Sequence, residues 1–315
     1  MLPNQPRKIY RYQRFSVTTV ESLCYDTLHF ADPADFNDPL DCQPTVDADS
    51  DIDTLRHLLS ELVKRRVEAE SVAALNKAHL KSKKVDAHAK LLGEQAAHNE
   101  LVNIAYHATN PDYEVREEDA ERCLLTYGIQ CELLKQYHRG ICCFSAVVDN
   151  PLLWSHYGDQ HRGLCIGYGI NRTPRPRLWK VVYGGSRTVA TSLIAKALPE
   201  NDPEAQESLD RNVLLRKAAS WRYEREWRLL GDRGVRDSVL GLKDVTFGMR
   251  CPDALMHAVI TALESREEEV RFYVMYEVGG NFKLKRRPVD TDEMRAFFPK
   301  TARSGVEIFG LVDTD

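Results

Sequence analysis

No stretch of this sequence approaches the roughly 18–20 consecutive apolar residues that carry a helix across a bilayer, so no membrane contact is expected. The N-terminus, Met1 to Lys8, is polar and twice interrupted by proline, which leaves no secretory hydrophobic region. Paired cysteine spacing is missing as well. The eight cysteines (24, 42, 123, 131, 142, 143, 165 and 251) form no Cys-x-x-Cys unit, and some lie in apolar runs such as Ile141-Cys142-Cys143-Phe144. Buried, reduced thiols and a cytoplasmic location are the expectation, rather than a zinc ribbon or a disulfide framework. No Gly-x-Gly-x-x-Gly follows a strand pattern, so a Rossmann-type dinucleotide site is not indicated. A phosphate-binding P-loop and a Gly-x-Ser-x-Gly elbow are absent too. Excess charge is also lacking: a net −4 over 315 residues gives no global signal for nucleic acid. The basic run Lys283-Leu284-Lys285-Arg286-Arg287 reads as solvated surface.

What remains is an ordinary globular composition, 43% hydrophobic and 29% charged, in a chain long enough to bury a sizeable core. Short strand patterns at residues 9–12 and 28–31 bracket a helix opened by Ser16, with Val17, Val20, Leu23 and Cys24 as its apolar stripe. A Pro/Asp-rich turn follows at residues 32–41. From about residue 51 to 137 the pattern turns helical, with Leu55, Leu58, Leu59 and Leu62 at helical spacing. Asn110-Pro111-Asp112 breaks it, and about four helices are expected. Strands resume at 140–145, 161–168 and 180–183. Helices are expected near 190–198 and 204–219, then strands and one more helix, 252–265, to the C-terminus. The expected architecture is α+β and mostly antiparallel: residues 1–45 and 140–315 form the core, and 46–139 a helical insertion that could grip a partner.

The segment with most chemical content is Trp221-Arg222-Tyr223-Glu224-Arg225-Glu226-Trp227-Arg228-Leu229-Leu230. Its alternation of large apolar and charged residues predicts a half-buried strand over 221–230. Alternate side chains then share a face, which puts Glu224 and Glu226 together between Arg222 and Arg228. Two adjacent carboxylates bracketed by arginines suit acid–base chemistry, and they equally suit a solvent-facing strand with cross-strand ion pairs. Trp154-Ser155-His156-Tyr157 sets a hydroxyl, an imidazole and a phenol beside a helix-packing tryptophan. Asp35, Asp38, Asp41, His156, Asp159 and His161 offer donors for a metal-dependent nuclease or hydrolase, though at no known metal spacing.

Taken together, Ile9-Tyr10-Arg11-Tyr12, Phe36-Asn37-Asp38-Pro39, Cys143-Phe144-Ser145, Leu153-Trp154-Ser155-His156-Tyr157-Gly158 and Tyr223-Glu224-Arg225-Glu226-Trp227-Arg228 resemble the bacterial family catalogued as domain of unknown function 2971. More distantly, the order of parts is similar to ADP-ribosyltransferase-like proteins of the arginine-serine-glutamate branch, Glu224-Arg225-Glu226 standing for their Glu-x-Glu. Their Ser-Thr-Ser strand motif is not present. That resemblance implies an ADP-ribosyltransferase-like β core and NAD as substrate. The ADP-ribose would pass to a protein or nucleic acid, or to water, in the setting of a toxin or phage-defence effector. It implies Arg11, with Tyr12 beside it, on the phosphates or ribose. Ser145 or Ser155, together with His156, would support the site, and Tyr157 would stack on nicotinamide. Glu226 would bind the ribose 2′-hydroxyl, and Glu224 would orient or deprotonate the acceptor. A non-catalytic binding or regulatory module on the same fold is the alternative.

Overall fold

The computed structural model describes residues 5–79, 83–137, 139–304 and 308. An eight-stranded sheet runs in the order Leu284–Pro288, Arg271–Glu277, Gly241–Phe247, Leu164–Gly169, Lys8–Gln13, Arg139–Ser145, Glu226–Asp232 and Trp179–Lys180. All neighbours are antiparallel except Gly241–Phe247 and Arg271–Glu277. The architecture is therefore the expected mixture of helices with a mostly antiparallel sheet. The first strand lies inside the sheet, so its residues reach the middle of the molecule.

Strand alternation sorts the sheet into two faces. Ile9, Phe144, Ile166, Trp227 and Val245 fall on one, where they join Met256, Val259 and Ile260 of the helix Asp253–Leu263 in a hydrophobic core. On the other face the register aligns Glu226, Ser145, Tyr10, Gly167 and Asp244 in a single row across five strands. That row is polar where the opposite face is apolar. Glycine is needed at 167, since a Cβ there would come within 2.5 Å of the Asp244 carboxylate.

A second core lies under three long helices, Ile52–Lys77, Lys83–Ala108 and Glu117–Gln136, in place of the four expected among the described residues. Asp51 opens the first by accepting a bond from the Thr54 amide, the usual way an orphan helix N–H is satisfied. Leu55, Leu59 and Leu62 are fully buried on its inner face. Truncating one such leucine to alanine costs about 2–5 kcal/mol. Val189, Ile194, Leu209, Val213 and Leu214 belong to the same core. The helical segment 46–139 thus shares its core with residues far along the chain.

Five local expectations change. The predicted strand over 221–230 begins only at Glu226; before it, Ala219–Glu224 is a 3-10 turn and Arg225 takes a left-handed φ of 49°. The predicted helix over 204–219 stops at Leu214, and Arg216–Lys217 pairs in parallel with Val182–Tyr183. The strand at 161–168 starts at Leu164, because Asp159, Gln160 and His161 form a left-handed turn (φ 49°, 52° and 68°). The first helix has its Ser16 cap, yet it buries Thr19 and Leu23 and leaves Val17 75% exposed. No cysteine is in a disulfide, but Cys24 and Cys123 are exposed rather than buried. Among the described residues no helix is long and apolar enough to cross a membrane.

Candidate functional site

The Lys8–Gln13 and Arg139–Ser145 strands are in register only at Tyr10 and Ser145. Ile141 instead bridges to Ala31, each bonding the other's carbonyl. Where the two strands part, a cavity of about 350 Å³ opens, lined by Tyr10, Tyr12, Phe36, Ser145 and Tyr157 and by the charged groups Arg11, Asp35, Asp41, Lys217, Glu224 and Glu226. Its volume is that of a small-molecule site.

Glu224 and Glu226 reach this cavity together although they do not share a strand. The 3-10 turn delivers Glu224, the left-handed Arg225 reverses the backbone, and Glu226 opens the strand. Both are 4% exposed. They converge on Lys217, whose Nζ lies 2.7 Å from Glu224 Oε2, 3.1 Å from Glu226 Oε2 and 3.4 Å from Asp41 Oδ2. Arg228, fully buried, sits behind. Its Nε is 2.7 Å from Glu226 Oε1 and its Nη2 is 2.7 Å from Asp41 Oδ2, while Nη1 donates to the Leu214 carbonyl at 2.6 Å. Arg222, expected to flank the glutamates, is exposed instead.

Three carboxylates therefore face two cations, and the surplus negative charge falls on Glu224. Burial raises its carboxyl above the usual range and the charge of Glu226 adds to this, against the pull of Lys217. Burial pushes Glu226 in the same direction, but Arg228 and Lys217 overcome it and hold that carboxyl down at about 2. Two adjacent carboxyls driven apart in this way can divide acid and base roles. Burial would lower Lys217, yet Glu226, Glu224 and Asp41 together raise it and keep the ammonium charged.

The remaining contacts fix Glu224. Tyr157 donates its hydroxyl to Glu224 Oε1 at 2.8 Å. Burial and the nearby carboxylate raise that phenol, so it stays a donor. Ser145 Oγ donates to the Glu224 carbonyl at 2.6 Å and accepts from the Val147 amide at 3.1 Å. The amide of Glu226 donates to the Tyr183 hydroxyl at 2.7 Å. Trp221 Nε1 donates to Asp38 Oδ2 at 2.7 Å, and its ring lies 5.1 Å from the Lys217 ammonium, a cation–π contact.

The other residues singled out in the sequence are placed less centrally. Tyr12 lines the cavity and bonds the Val147 carbonyl at 2.9 Å. Arg11 borders the gap, but alternation turns it away from Tyr10 and Tyr12, and its Nη2 donates to the His29 carbonyl at 3.3 Å. Ser155 donates back to the Pro151 carbonyl on the exposed side of its helix. His156 sits outside the cavity lining, edge-on to Tyr157 and Trp221. The proposed metal donors do not gather: Asp38 holds Trp221, and His161 stacks on Trp154. Among the described residues no three His, Cys, Asp or Glu could hold a metal ion. Lys217 and Asp41 complete the glutamate cluster, yet no sequence motif marks either residue as part of it.

Fold and site define an α+β protein whose aromatic cavity is floored by a partly neutralised carboxylate cluster. The family model described as "Protein of unknown function (DUF2971)" matches residues 153–229, the stretch that holds Tyr157, Lys217, Glu224, Glu226 and Arg228. Neither a curated protein nor a solved structure matches the chain.

Proposed function

We propose that this protein consumes NAD, breaking the nicotinamide–ribose bond and passing ADP-ribose to a macromolecule or to water, in the role of a toxin or phage-defence effector. The observation that carries the reading is the surplus carboxylate of Glu224, held between Tyr157 and Lys217 in an aromatic-walled cavity. A nicotinamide ring bearing positive charge suits walls of tyrosine and phenylalanine over a net negative floor. Leaving-group departure builds positive charge on the ribose, which a preorganised carboxylate stabilises.

We assign the two glutamates the reverse of the roles implied by the resemblance. Two cations, Arg228 and Lys217, bind the oxygens of Glu226, against one cation and a phenol on Glu224, so Glu226 locks the cluster. Glu224, with its raised carboxyl, faces the ribose and takes the acceptor's proton. Ser145 holds the Glu224 backbone, and Tyr157 orients its carboxylate beside the ring. Of the cations lining the cavity, Lys217 is matched by carboxylates and Arg11 is turned by strand alternation away from Tyr10 and Tyr12, toward the His29 carbonyl. The cavity accordingly fits the nicotinamide-ribose end of NAD better than its diphosphate.

The test is nicotinamide release from NAD, with cell lysate as the source of acceptors. Wild type should release it, and Glu224→Gln should lose about two to three orders of magnitude, as removal of one preorganised electrostatic partner does elsewhere. Absence of release together with absence of NAD binding by calorimetry would sink the proposal and favour a binding module.

A further inference from the structure

A second cavity, of about 290 Å³, adjoins the first through Lys217, which lines both. Its lining includes Arg187 and Arg216 and contains no aspartate or glutamate. Its electrostatics are thus the reverse of the glutamate cavity's. The Lys217 ammonium is already matched by three carboxylates, so the uncompensated charge here belongs to the two arginines. Both are held by neutral acceptors: Arg187 Nη1 bonds the Gln43 carbonyl at 3.1 Å, and Arg216 Nε bonds Asn212 Oδ1 at 3.1 Å. Each guanidinium keeps donors to spare, since it carries five N–H groups.

The backbone of the wall is equally unusual. Gly184 and Gly185 are successive residues at positive φ, 80° and 81°. Side chains rarely adopt that backbone, so glycine supplies the bend. Gly184 donates its amide to the Lys217 carbonyl at 2.8 Å, which ties the bend to the strand carrying Arg216. A Cβ on Gly185 would stand 3.1 Å from Arg216 Nη1, so the missing side chain leaves the guanidinium uncovered. Among the described residues the Gly185 and Ser186 amides make no hydrogen bond, and both residues are exposed. Two planar guanidinium forks and two available amides around one concavity are the donors that phosphate oxygens require.

We infer that this second cavity is a binding site for a phosphate or diphosphate group, with Arg187, Arg216 and the Gly184–Gly185–Ser186 bend as its donors. The phosphoryl chemistry stands on the cavity's own lining. The further step, that the group is the diphosphate of a dinucleotide whose other end lies in the glutamate cavity, rests on the NAD reading above.

Calorimetry with inorganic pyrophosphate at low ionic strength tests the site directly. Wild type should bind, more weakly as salt rises, and Arg216→Gln should weaken binding by roughly ten- to a hundredfold, the range for a hydrogen bond to a charged group. Arg187→Gln should act in the same direction, and thermal melting should show the fold retained in both arginine variants. No pyrophosphate binding, or binding unchanged by both arginine substitutions, would overturn the inference. ADP-ribose separates the sources. If it displaces pyrophosphate and binds at least about tenfold tighter, the site serves a dinucleotide; if pyrophosphate alone binds, the site takes a free anion and the NAD reading stands or falls on nicotinamide release.

Discussion

Two buried carboxylates, Asp244 and Glu226, stand in one row of the sheet and are surrounded on opposite terms. At one end Asp244, 0% exposed, lies between Lys8 and Arg286, with Arg286 also bonded to Thr246 and stacked 4.2 Å over Tyr273. One carboxylate there meets two cations. At the other end Asp41, Glu224 and Glu226 meet only Lys217 and Arg228. At the Asp244 end the negative charge is more than answered. The glutamate end leaves one negative charge over, beside a cavity. Burial of charge is thus common to both ends; what sets the glutamate end apart is a surplus of carboxylates next to open volume.

The largest expected effect comes from Arg228→Met, which leaves three buried carboxylates to the single cation Lys217. It should cost roughly 3–5 kcal/mol in urea denaturation, as breaking a buried pair does. Asp244→Asn should cost less, about 1–3 kcal/mol, because Lys8 and Arg286 are 35% and 23% exposed and can turn to water. If the two substitutions cost the same, the contrast between the clusters fails.

The pH dependence is distinctive next. A raised carboxyl means that the folded state binds the Glu224 proton more tightly than the unfolded chain. Its contribution therefore makes stability fall as pH rises above the usual value of about 4.5. Glu226 works the other way, adding stability that is present above about 4.5 and is lost as pH falls toward 2. Urea midpoints taken across pH should show Glu224→Gln removing the first slope and Glu226→Gln the second. Smallest of all, Ser145→Ala should cost about 1 kcal/mol, because its hydroxyl ties the Glu224 carbonyl to the Val147 amide. Ser155→Ala should stay within about 0.5 kcal/mol, being an exposed back-bond. Equal effects from the two serines would contradict the assignment of Ser145 alone to the site.

The alternation of apolar and charged residues is enough to bring Glu224, Glu226 and Arg228 together on one face, although the backbone does so by another route. A 3-10 turn and one left-handed residue keep the two glutamates convergent where the pattern predicts a continuous strand. Lys217 carries no such signal. Arg216-Lys217-Ala218-Ala219 are all good helix formers, so local propensity extends the helix. Burial of Leu214 and Leu215 and pairing with Val182–Tyr183 pull the chain into a short strand instead. Asp41 is hidden in a turn-rich segment, where aspartate ordinarily bonds its own backbone. The basic run 283–287 is solvated only in part, since Arg286 turns inward to Asp244 while Lys283, Lys285 and Arg287 stay exposed. Helical spacing reveals the leucines of the second core, but nothing local shows that Val189 to Leu214 completes it. The missing signals are all contacts between residues distant in sequence.

The most direct measurement is a carbon-detected NMR titration of the glutamate side-chain carboxyls, with Glu224 and Glu226 assigned through Glu224→Gln and Glu226→Gln. Glu224 should titrate above 4.5 and Glu226 at about 2. Titration in the reverse order, or of both carboxyls below 4.5, would contradict the claim that the surplus charge of the cluster resides on Glu224.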